Sequence, residues 1–112
     1  MLRIDNENNI TITKGDTLTL TLNLKKDGDD YVPVEGDTIR FAVSKGYVGE
    51  TAYQLLIEES VPIESLTFTV SSEKMELLSH ANAYNYDVEL THGDGSVDTV
   101  ISAQIKVLGE VK

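Results

Sequence analysis

Two histidines, a run of acids and five tyrosines are the side chains of this 112-residue sequence whose types can do chemistry. A zinc site built on imidazoles needs a spacing that puts two of them on one face, such as i and i+4 on a helix, and His80 and His92 have no such spacing. A catalytic imidazole needs a nucleophile on one side and an orienting group on the other. His92 falls among turn-forming residues, His92-Gly-Asp-Gly-Ser96, and His80 in a corner, so both are read as solvated loop residues. Asp27, Asp29, Asp30, Glu35 and Asp37 offer hard oxygen ligands for Ca²⁺. The calcium loop demands a glycine at position six and a glutamate at position twelve, and this run supplies neither pattern. Its Asp27-Gly28 pair belongs to a turn, and Glu89, Asp94 and Asp98 around a later turn are read the same way. No serine sits in a Gly-x-Ser-x-Gly elbow and no glycine-rich loop can cradle a phosphate. The expectation is a chain without catalytic residues, metal or cofactor.

The tyrosines divide by context. Tyr84 and Tyr86 alternate with polar residues and are expected on a core face, whereas Tyr31, Tyr47 and Tyr53 lie in or beside loops, where an amphipathic ring suits partner contact. The chain has no tryptophan, which weighs against sugar stacking. Nine basic residues against nineteen acidic ones leave a formal charge of −10, which repels phosphate, so neither nucleic acid nor an anionic membrane is an expected partner. No cysteine is present, so packing and backbone pairing must hold the fold. Residues 1–10 hold acids and asparagines where a signal peptide has an apolar run, and the expectation is a soluble chain that is not exported.

The elements that must position these side chains are strands. Tyr84, Tyr86, Val88 and Leu90 alternate with polar residues, then the turn at 92–96 reverses the chain into a second strand. Val97, Ile101, Ala103, Ile105 and Val107 are expected on its buried face, with Asp98, Ser102, Gln104 and Lys106 on the wet one. Leu18, Leu20, Leu22 and Leu24 make a leucine stripe opposed by threonines and asparagine. Ile10 and Ile12, the series Ile39, Phe41 and Val43, the stretch Tyr53 to Glu59, and the series Leu66, Phe68 and Val70 read as further strands. Lys25 to Asp30 reads as a polar turn, and Pro33 keeps Tyr31 to Val34 extended at an edge. One short helix is expected from Ser71 or Ser72, capped by a serine, with Met75 and Leu78 on its buried side. Seven or eight short strands at regular spacing predict a single all-β sandwich domain spanning residues 1–112. A tyrosine that opens the penultimate strand after a corner, as Tyr84 does, is a mark of immunoglobulin-like sandwiches, where its hydroxyl bonds to upstream backbone.

The motif order Ile12-Thr-Lys-Gly-Asp-Thr17, Gly36-Asp-Thr-Ile-Arg-Phe41, the corner helix with Leu78, Tyr84-Asn-Tyr86-Asp87-Val88-Glu89 and Asp98-Thr-Val-Ile101 spans nearly the whole chain. In it the chain resembles the N-terminal domain of phage baseplate upper proteins and related tail and prophage structural proteins of Gram-positive bacteria. The resemblance implies an immunoglobulin-like antiparallel β-sandwich that serves as an assembly module in a phage tail or baseplate. Its partners would be other tail or baseplate proteins or copies of itself, and it would pass from the host cytoplasm into the virion. The same fold would also suit a binding module of a bacterial surface protein, a role that the missing export signal opposes. Sandwiches leave edge strands whose free backbone groups are guarded or used. Pro33 guards one candidate edge, and the last strand, carrying Val100 and Leu108 outward, is the preferred contact element.

Overall fold

Period-two alternation becomes strand wherever one face finds a core, and the computed structural model follows this through residues 2–46, 49–80 and 82–109. Its elements in chain order are β1 (Leu2–Ile4), β2 (Ile10–Thr13), β3 (Leu18–Thr21), β4 (Lys25–Lys26), β5 (Asp29–Asp30), β6 (Thr38–Lys45), β7 (Gln54–Val61), β8 (Thr67–Val70), the helical turn α1 (Ser72–Met75), β9 (Ala83–Thr91) and β10 (Val97–Leu108). The fold is all-β with one short helix, as the sequence predicts.

Six strands form one sheet in the order β1-β2-β10-β9-β6-β7, while β3 pairs with β8 and β4 with β5. Leu18 and Leu20 of β3, and Leu22 and Leu24 just beyond its end, are buried, while the β3 threonines are exposed. Thr19 and Thr69, and Thr21 and Thr67, join hydroxyls at 3.1 and 2.8 Å on the outer face of the β3–β8 ladder. Across the core, Phe41 of β6 meets Phe68 of β8 with ring centroids 4.7 Å apart, and Tyr86 of β9 at 5.5 Å. One buried cluster thus joins β3 and β8 to the large sheet. Met75 and Leu78 enter it from the helical turn, which Ser71 caps by accepting the Lys74 N–H at 3.2 Å. Lys14 reaches the far end of that turn, its Nζ donating to the carbonyls of Glu76 and Leu78, both at 3.2 Å. The corner tyrosine also behaves as predicted, with the Ser79 N–H donating to Tyr84 Oη at 2.9 Å.

Four readings of the sequence need correction. Ten strands are described rather than seven or eight, because β1, β4 and β5 are two or three residues long, held by backbone pairing and exposed throughout, with no buried face to read. In the β4–β5 hairpin, Asp27 and Gly28 both take positive φ (53° and 85°), the two-residue turn that matches strand twist. The large sheet is mixed rather than antiparallel, since β2 runs parallel to β10 and puts Ile10 opposite Ile105. Residues Tyr31 to Val34 form no strand, and Val32 and Val34 are exposed.

The fourth correction concerns β10. A bulge at Val100 shifts the register between Thr99 and Ile101 and inverts the alternation before it. Val97 is therefore exposed, while Asp98 stands opposite the buried Leu90. The extra residue, Val100, packs against the core rather than facing outward. Nor is β10 the sheet edge: it lies between β2 and β9, and the edge strands are β1 and β7. Only part of its outer side is covered, because β2 pairs with Ile105 to Leu108 and Asn9 Oδ1 accepts the Gln104 N–H at 3.0 Å.

Candidate functional site

Two places gather polar chemistry. The first is at the loop end of the sheet, where the turn before β6 touches the turn after β9. Gly36 (φ 98°) makes the reversal, and a Cβ there would stand 3.6 Å from the Gly93 Cα, so two residues without side chains let the turns close on each other. Asp37 is buried as a result. Its Oδ2 accepts from Tyr31 Oη at 2.5 Å and from the Val34 N–H at 3.0 Å, and its Oδ1 lies 3.4 Å from His92 Nδ1. His92 Nε2 meets Asp98 Oδ2 at 2.9 Å, and Lys26 of β4 approaches that same carboxylate at 3.4 Å. The Tyr31 and His92 rings meet edge to face at 6.0 Å.

This arrangement is a clamp. The Tyr31 hydroxyl, and next the Val34 N–H, hold the Asp37 carboxyl below its usual range, and the His92 bond does the same for Asp98. Among the described residues the hydrogen-bond partners of the His92 ring are Asp98 and Lys26, not a hydroxyl nucleophile. What the geometry does is tie three loops to the sheet. The expectation of a solvated His92 is corrected: the bulge turns Asp98 inward to meet it, and its side chain is only 17% exposed.

The second place is a groove of about 280 Å³ on the outer face of the large sheet. Strand register explains its shape. Asp87 of β9 lies between Ala42 of β6 and Ser102 of β10, two small residues whose short side chains leave a depression. Arg40 and Glu89 close one end, and Ser44, Tyr53, Leu55 and Asn85 line the other. Arg40 is already engaged, its Nε donating to Glu58 at 2.8 Å and its Nη1 lying 3.6 Å from Glu89. Burial, reinforced by Glu89 and opposed by Arg40, pushes the Asp87 carboxyl above its usual range. Among the described residues its Oδ1 is the one buried side-chain polar atom without a hydrogen-bond partner.

The five contact residues expected from the sequence scatter. Tyr53 lines the groove. Tyr31, half-buried, spends its hydroxyl on Asp37 in the clamp. Val100 is the bulge residue, and Leu108, half-buried, pairs with Thr13 in the parallel ladder, so neither forms an outward apolar face. Tyr47 lies outside the described residues. The acidic run also fails to converge: Lys25 pairs with Asp30 across the small hairpin while Asp37 turns inward. Among the described residues no three His, Asp or Glu side chains are placed to hold a metal ion. Asp87 and the clamp escaped sequence reasoning because both depend on which strands lie side by side.

No model of a known protein family matches the chain, and no curated protein matches it.

Proposed function

We propose that the chain is a non-enzymatic structural protein of a phage or prophage tail or baseplate that works by docking to other tail proteins. The observation that carries the reading is the corner tyrosine in its strand context. Tyr84 opens β9 and takes the Ser79 N–H, β3 pairs with β8, and β6, β9 and β10 lie side by side, which supports an immunoglobulin-like reading. That arrangement is what the motif resemblance to baseplate upper proteins implies. Among the described residues no helix is long and apolar enough to cross a membrane, which accords with a role in a particle. The protein would then be made in the host cytoplasm and carried in the virion.

The test joins genome and solution. Genes flanking this one are expected to encode tail, holin or lysin proteins, and sedimentation of the chain with the adjacent tail gene product is expected to give a stoichiometric complex. A chain that stays monomeric and ignores each such neighbour would sink the reading.

A further inference from the structure

We infer that the groove on the outer face of β6, β9 and β10 is a docking socket for one arginine side chain of a partner protein, with Asp87 as its acceptor. This rests on the docking role proposed above and names the chemistry of the contact. A buried carboxylate oxygen without a hydrogen-bond partner costs stability in the free chain, and the attraction of Arg40 offsets only part of it. Its neighbours across the ladders, Ala42 and Ser102, carry no charge. Among the described lining residues the only base, Arg40, is bound by Glu58 and Glu89, so the wall around Asp87 keeps an excess of negative charge. A cation from outside is the complement.

The lining selects among cations. Beyond Asp87, the groove offers Tyr53 and the exposed Leu55 as an apolar lip and Asn85 as a polar neighbour, and its volume suits a single long side chain. An arginine fits each part: its stem lies along the lip, its planar fork stacks on the Tyr53 ring and its donors reach the carboxylate. A second copy of this chain is a poor source. It carries nineteen acids and nine bases, so two copies repel, and of its two arginines Arg40 is already held in the groove wall.

The experiment uses the whole ¹⁵N-labelled chain titrated with N-acetyl-arginine methylamide, and with the neutral isostere N-acetyl-citrulline methylamide. Saturable shifts of the Ala42, Asp87 and Ser102 amides are expected with the arginine probe, weaker by about tenfold with citrulline, since a charged donor is lost. Asp87→Asn should abolish the difference between the probes while its melting temperature stays level or rises. Equal response to both probes, an unchanged response in Asp87→Asn, or no saturable shift would overturn the socket. A lowered melting temperature in Asp87→Asn would do so as well, by showing that the carboxylate serves the fold. Shifts at the same amides on concentrating the chain without probe would put a second copy in the groove and overturn the partner assignment. The two readings fail separately: arginine binding without any tail complex sinks only the assembly role, and a complex without arginine binding sinks only the socket.

Discussion

Asp37 and Asp87 lie on or beside the same sheet, and their surroundings push them in opposite directions. Asp37 is held below its ordinary 3.8 by the Tyr31 hydroxyl and then the Val34 N–H, so the stability it contributes is complete above that value and is lost as pH falls through the lowered one. Tyr31→Phe removes the leading donor. Its melting temperature should fall below the parent's at pH 7, and the gap should narrow as pH drops below 3.8 and the parent's own Asp37 is neutralised. A gap of constant size in thermal melts from pH 7 to pH 2 would assign the loss to ring packing instead. Asp87 has its carboxyl raised by burial, so it favours the fold when protonated and opposes it as pH rises through the raised value. The level or higher melting temperature expected for Asp87→Asn at pH 7 should therefore converge on the parent's in acid.

At the scale of elements, alternation and its interruptions decide what faces the core. Leu18, the first residue of the leucine stripe, is fully buried, whereas Thr19 beside it only joins Thr69 on the exposed face. Leu18→Ala should cost about 2 to 5 kcal/mol in a denaturant titration, against about 1 kcal/mol or less for Thr19→Ala. Comparable losses would mean that the stripe does not face a packed core. Bulges at Val100 and opposite Ser44 explain the two strands that do not alternate cleanly; in β7 the register passes from Ile57 to Leu55, leaving Leu56 as the extra residue. Because Val100 packs against the core, Val100→Lys is expected to destabilise the fold and cannot by itself report on an outer surface. Gly36→Ala is a second element-level test. Its φ of 98° disfavours any side chain, so a loss of about 1 kcal/mol or more is expected, with broadened His92 resonances as the two turns separate.

For the whole molecule, a formal charge of −10 on 112 residues sets a self-repulsion that the compact state must bear. Added NaCl between about 10 mM and 150 mM shortens the screening length from roughly 30 to 8 Å and should raise the melting temperature. The scattered ion pairs, such as Lys25 with Asp30 and Lys74 with Glu59, are exposed and contribute little that salt could remove. A melting temperature that falls with salt would mean that the ion pairs outweigh the repulsion.

The sequence alone determined the strands with a buried face, a serine cap at Ser71 or Ser72, the hairpin turn after Thr91 and the place of Tyr84, because each depends on residues next to one another or on a period of two. It also determined the leucine stripe and the apolar side of the helical turn, for the same local reason. Only the tertiary structure decided that β2 lies parallel to β10, that β7 rather than β10 is an edge, and that Asp98 faces inward past a one-residue bulge. A bulge leaves no composition of its own, yet it reverses every side chain before it. The clamp and the groove lie beyond local reading for a related reason. His92 meets Asp37, and Asp87 lies between Ala42 and Ser102, through pairings of strands distant along the chain, and that register is set by the packing of the whole core.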